Sequence, residues 1–160
     1  MKWDWIYCDT YIGQAVPFHL ATREFFELLH ARLAPGGAVG VNLAGSVQHP
    51  FARAMFRTMR QVFARVEIFS IRGSGNFLLV AHAGGAIPDS ELQARGAALD
   101  AAHAGEGPWP RFVEFARYRV APDLALESVP VLVDGYAPVD ALLNFADREA
   151  RLAGRKLEAP

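Results

Sequence analysis

Apolar and polar positions alternate in two distinct periods along the first half of the chain. Trp3, Trp5, Ile6, Tyr7 and Cys8 form an aromatic and β-branched run, which predicts a strand over residues 3–8. Residues 9–17 have loop chemistry. Thr22 then suits an N-cap, and Phe25, Leu28, Leu29 and Leu33 fall at helical spacing, predicting a helix to about residue 33 with one apolar stripe. Pro35-Gly36-Gly37 stops it. Residues 38–43 are apolar enough for a strand buried on both faces. A loop over 44–48 leads to a second helix opened by Pro50, with Phe51, Met55, Met59 and Val62 on its buried side and Arg53, Arg57 and Arg60 on a solvated one.

Two further strands are predicted at 66–70 and 77–83, antiparallel because only a short Gly-Ser-Gly-Asn turn separates them. The order β-α-β-α-β-β belongs to an α/β sheet ending in a hairpin. The hairpin sets the 77–83 strand beside the 66–70 strand. Beyond residue 85 the pattern is looser. Residues 88–104 are helix-like with Leu92 and Leu99 on the apolar side, 112–118 suit a short helix, 129–133 are a short apolar run, and Pro138 opens a last helix ending near Gly154. The expected organisation is a partial α/β core over 1–85 and a mostly helical extension over 86–160 packed on the same domain.

Composition narrows the function classes. Apolar residues make up 52% and charged ones 21%, with a net charge of −1. No strong field draws the chain to nucleic acid or to anionic lipid, so neither is an expected partner. No apolar run approaches the roughly 20 residues of a membrane helix. Residues 1–7 lack the features of a signal peptide. Cys8 is the single cysteine, which leaves no intrachain disulfide and fits a cytoplasmic setting. The five histidines show no metal-ligand spacing, Ser46 lies in no nucleophile elbow, and no Gly-x-Gly-x-x-Gly follows a strand. No metal is expected.

In open α/β sheets, ligands bind beyond the carboxyl ends of the strands. That rule selects Asp9 as the catalytic candidate and Thr10, Tyr11, Gln14 and Asn42 as substrate-binding candidates. A carboxylate at a strand end, beside Tyr and Gln, can orient a cationic amine or take a proton from it. Asp9 also has a simpler reading, as the cap of a turn.

Tyr7-Cys8-Asp9-Thr10-Tyr11, then Val16-Pro17-Phe18-His19-Leu20-Ala21-Thr22-Arg23-Glu24-Phe25-Phe26, resemble the spermidine synthase-like family. Leu33-Ala34-Pro35-Gly36-Gly37-Ala38-Val39-Gly40-Val41-Asn42-Leu43 and Leu132-Val133-Asp134-Gly135-Tyr136-Ala137-Pro138 continue the resemblance. It implies the C-terminal half of a Rossmann-like class I methyltransferase sheet, with a helical C-terminal extension. It further implies polyamine biosynthesis: transfer of an aminopropyl group from decarboxylated S-adenosylmethionine, as co-substrate, to a small amine, with Asp9 as the family's carboxylate. S-adenosylmethionine-dependent methyl transfer, or a non-catalytic assembly module of the same fold, are the alternatives. Three departures go with it. The nucleotide-binding half is expected outside this chain. Ile12 stands where synthases carry a second Asp, and Ser70-Ile71-Arg72-Gly73 replaces their tyrosine-bearing segment. The first strand, central in the family sheet, is expected to form an edge here. It would pair in a homodimer or a heteromer, unless residues 129–133 fold back over it.

Overall fold

A computed structural model describes residues 1–11, 15–70, 73, 75–107 and 111–144. Strand β1 (Trp3–Cys8) is followed by a 3-10 turn at Phe18–Leu20 and helix α1 (Arg23–Arg32). Strand β2 (Leu33–Ala44), helix α2 (Pro50–Met59), and strands β3 (Arg65–Ser70) and β4 (Asn76–His82) come next. The remainder holds α3 (Asp89–Ala102), α4 (Phe112–Ala116), β5 (Arg119–Val120), a 3-10 turn at Leu126–Ser128 and α5 (Val139–Leu143). The sheet order is β1-β2-β4-β3-β5. Among the described strands only β1 and β2 are parallel; β4 runs antiparallel to β3, as the hairpin predicts, and to β2 as well.

Local chemistry places the helices. Thr22 is fully buried and its hydroxyl accepts the Phe25 N–H at 3.3 Å, capping α1. Pro50 occupies the first turn of α2, where its missing N–H costs nothing. The face of α2 forecast from the sequence is the buried one, with Phe51, Met55 and Met59 in the core beside Ala52, Ala54 and Thr58. They pack against Val39, Val41 and Leu43 of β2 and Phe77, Leu79 and Ala81 of β4. Cys8 lies in the same core, and burial pushes its thiol pKa up.

Several expectations are corrected. In α1 the core residue is Phe26, while Leu28 is 65% exposed; counting at 3.6 residues per turn from Thr22, position 26 faces the sheet and 28 lies on the far side. The helix ends at Arg32, and β2 starts at Leu33, five residues before the expected strand. The Pro35-Gly36-Gly37 segment therefore lies inside β2, where the register slips between Trp3↔Leu33 and Trp5↔Ala38. Gly36 has φ 81° there, a conformation open to glycine.

Of the three arginines expected on a solvated face, Arg60 is exposed, but Arg53 and Arg57 are not free in solvent. Arg57 Nη1 donates to the carbonyls of Leu126 and Val129, at 2.8 and 2.5 Å, and Arg53 Nη1 donates to Ala125 O and Ser128 Oγ. They hold the late segment against α2. Residues 129–133 accordingly pack in the core and not over β1: Leu132 is fully buried, its N–H bonded to Thr58 Oγ1 and its carbonyl to the Arg23 N–H. In α3 the buried residue is Gly96, and Leu99 is 45% exposed. A Cβ on Gly96 would stand 2.8 Å from the Val113 backbone, so this glycine sets the close approach of α3 to α4. The last helix is described only as Val139–Leu143; its expected continuation towards Gly154 lies outside the described residues.

Candidate functional site

β1 and β2 run parallel, and Cys8, the last residue of β1, lies opposite Val41, three residues before the end of β2. The next residue on each strand is therefore brought together: Asn42 Nδ2 donates to Asp9 Oδ1 at 3.0 Å. On the other side of β2, Ala44 pairs with Asn76, the first residue of β4, and Asn76 Nδ2 donates to Asn42 Oδ1 at 3.3 Å. Three polar side chains thus form a rung from the residue after β1 across β2 to β4.

Tyr11 reaches over the same end, and its hydroxyl oxygen accepts the Ala44 N–H at 2.7 Å. Burial pushes the Tyr11 phenol above its ordinary range; the bond from Ala44 works against this, and the charge of Asp9 adds to it. The phenol is held neutral, with its own proton left to donate.

These groups border a cavity of about 550 Å³ between the strand ends and the start of α2. Asp9, Tyr11, Asn42 and Asn76 supply its polar wall; Phe51 and Leu143 supply part of the apolar one. His49 also lines it. This residue is the N-cap of α2, and its Nδ1 accepts the Phe51 N–H at 3.3 Å, which leaves the ring proton on Nε2. A carboxylate, a neutral phenol and an amide around a half-apolar cavity suit an organic cation such as an amine.

Of the residues singled out from the sequence, Asp9, Tyr11 and Asn42 meet at this cavity. Thr10 is half-buried and does not line it, and Gln14 lies outside the described residues, as do Ile12 and Arg72. Asn42 lines the cavity while its amide nitrogen donates to Asp9 and its oxygen accepts from Asn76, which leaves one further N–H and one lone pair. His49 and Asn76 are site residues that the sequence reading missed. For His49 the signal was its place before a helix-opening proline. For Asn76 it was the strand order, which sets the start of β4 beside the end of β2.

No family model matches the chain. Over 68 residues, 38% of its length, it is 44% identical to polyamine aminopropyltransferase 2 of Pseudomonas aeruginosa. A second match of 68 residues, 42% of the chain, is 32% identical to the N-terminal histidine N-methyltransferase of Emericella nidulans. These stretches make up only 19% and 12% of the two relatives. Among solved structures, a probable spermidine synthase from Corynebacterium glutamicum superposes with a TM-score of 0.55 at 23% identity, over 84% of this chain and 48% of that one. Human methyltransferase-like protein 13, in complex with SAH, gives 0.58 at 18% identity, over 68% and 51%. The chain spans about half the length of these neighbours. Its fold is class I methyltransferase-like, and by the shared stretch of sequence and the shared architecture it is spermidine synthase-like over part of the length of its relatives.

Proposed function

We propose that the chain provides the amine-binding side of a spermidine synthase-like aminopropyltransferase, with Asp9 as the proton acceptor. The observation that carries this reading is the Asp9 carboxylate at the C-terminal end of β1, bordering a cavity with Tyr11 and Asn42. An ammonium group is not nucleophilic, so the acceptor amine must shed a proton before it attacks. Asp9 takes that proton; the nitrogen lone pair bonds to the carbon beside the sulfonium of decarboxylated S-adenosylmethionine; the carbon–sulfur bond breaks, and its electron pair stays on sulfur as a neutral thioether. Tyr11 donates from its neutral hydroxyl, and the apolar wall at Phe51 and Leu143 accommodates a carbon chain. The match to a polyamine aminopropyltransferase supports this assignment.

Methyl transfer from S-adenosylmethionine is the second reading, favoured by the histidine N-methyltransferase match and by the human neighbour bound to SAH. The same base serves it, since the nucleophile is again a nitrogen. Incubation with putrescine and either sulfonium compound, followed by chromatography, separates the two. The thioether product of aminopropyl transfer is expected from the decarboxylated co-substrate. Turnover of neither compound, with no putrescine-induced change at Asp9, would reject the transferase reading for this chain.

A further inference from the structure

We propose that Asn76 is a positioning residue for Asp9, acting through the side-chain amide of Asn42. The inference rests on the reading of Asp9 as proton acceptor, and concerns which of its oxygens does the accepting. An amide has a donor end and an acceptor end, and turning it over exchanges them. Asn76 is held on β4, where it presents its Nδ2 donor to Asn42 Oδ1 at 3.3 Å. That contact points the Asn42 oxygen towards β4 and its nitrogen towards β1, where it donates to Asp9 Oδ1 at 3.0 Å. Turned over, Asn42 would set oxygen against a carboxylate oxygen at Asp9, and Asn76 would have to turn its own amide over to keep its contact. One orientation of Asn42 thus satisfies the Asp9 acceptor and the Asn76 donor at once.

The rung fixes the working geometry of Asp9. Its Oδ1 is engaged by Asn42, and among the described residues Oδ2 has no hydrogen-bond partner. Oδ2 is the oxygen left for the amine, and it receives the proton. Asn42 and Asn76 belong to adjacent strands joined by seven paired positions between β2 and β4, and Asp9 directly follows the last residue of β1 in the parallel β1–β2 ladder. The sheet thus sets the spacing, with Asp9 one residue beyond its edge.

The test follows the full chain by nuclear magnetic resonance at one neutral pH, reading the Asp9 carboxyl carbon and the Asn42 side-chain nitrogen. Asn76→Leu is expected to move the Asp9 carboxyl signal, because the Asn42 donor is no longer held against Oδ1. In an Asn42→Leu background the same substitution is expected to change nothing further, since the connection is already cut. An unmoved Asp9 in Asn76→Leu, or equal shifts in the two backgrounds, would overturn the proposal. Should Asn76→Leu not fold, Asn76→Ala removes the donor without adding a charge. The Asp9 signal is then again expected to move, and its staying in place would overturn the relay. No substrate enters these measurements. Failure of putrescine to perturb Asp9 in the unsubstituted chain would instead remove the amine reading and leave the relay standing.

Discussion

Asp9 and Tyr11 differ by two positions but answer to different forces. Asp9 is exposed at a strand end, so replacing its carboxylate by an amide leaves packing intact. Asp9→Asn is expected to lower the transfer rate by about 10²–10⁴-fold, the usual worth of a positioned base, without changing the melting temperature. Kinetics and calorimetry on the same preparation check both halves of that statement. Tyr11 is held by burial first, and Asp9 adds to the effect. Its folded-state pKa lies above the unfolded value, so above about pH 10 the unfolded chain loses a proton that the folded chain keeps. Stability is therefore expected to fall as pH rises through that window. Asp9→Asn should bring the Tyr11 phenol partway back, with burial keeping it raised. The phenolate absorbance of the chain, minus that of Tyr11→Phe, reads the shift. Thr58 offers a third case. Its buried hydroxyl donates to Ala54 O at 2.7 Å and accepts the Leu132 N–H at 2.9 Å. Thr58→Val keeps the shape but strands a buried N–H, at an expected cost of about 1–3 kcal/mol in denaturant unfolding.

Helix α3 shows how an element is seated by what it lacks. Gly96 is its buried position, and α4 approaches within the space a methyl group would fill. Asp100 completes the joint by accepting the Phe112 and Val113 N–H groups at the start of α4. Gly96→Ala improves helix propensity but forces the two helices apart. The clash should win, with a net destabilisation of about 1–3 kcal/mol in thermal or denaturant unfolding. A glycine inside a helical pattern carries no apolar signal, which is why Leu92 and Leu99 drew attention in the sequence. The same limit explains the arginines of α2. Periodicity places Arg53 and Arg57 off the apolar stripe, yet it is silent about a chain segment more than 60 residues later that supplies carbonyls to them. The two-residue β5, paired to β3 at Phe69↔Arg119 and Ile68↔Val120, is too short to announce itself. Arg119 anchors it, bonded to Asp89 and to the Ile87 carbonyl. By contrast β1, β4 and α2 were legible, because their apolar periods are long and their turns or caps specific. The cavity was half legible: Asp9, Tyr11 and Asn42 follow strands by the rule for open sheets, whereas Asn76 enters through strand order and His49 through capping.

Across the molecule, the sheet is covered unevenly. One face carries α1 and α2; on the other, Trp3, Trp5 and Tyr7 stand in a row on β1, each 49–54% exposed, with the Trp5 and Tyr7 rings lying against Gly40. Among the described residues β1 is also an outer strand, and no described strand pairs with its other backbone edge. Such an edge invites another strand. This 160-residue chain is expected to associate through it, with a second copy or with a strand of another polypeptide. Light scattering during size-exclusion chromatography should then show species larger than 17.5 kDa at tens of micromolar, and Trp5→Glu should reduce them. A stable monomer with solvated Trp3 and Trp5 would count against pairing. The contact of Leu132 with both Thr58 and Arg23 bears on the order of events when the chain is made. Once the chain has left the ribosome up to residue 85, β1 to β4, α1 and α2 have been delivered, but the residues that cover the seam between α1 and α2 have not. The seam closes only when Val129 and Leu132 arrive, bringing with them the carbonyls that Arg57 and the Arg23 N–H require. Cooperative folding is therefore expected to wait on a few late residues, which supply contacts far apart in sequence.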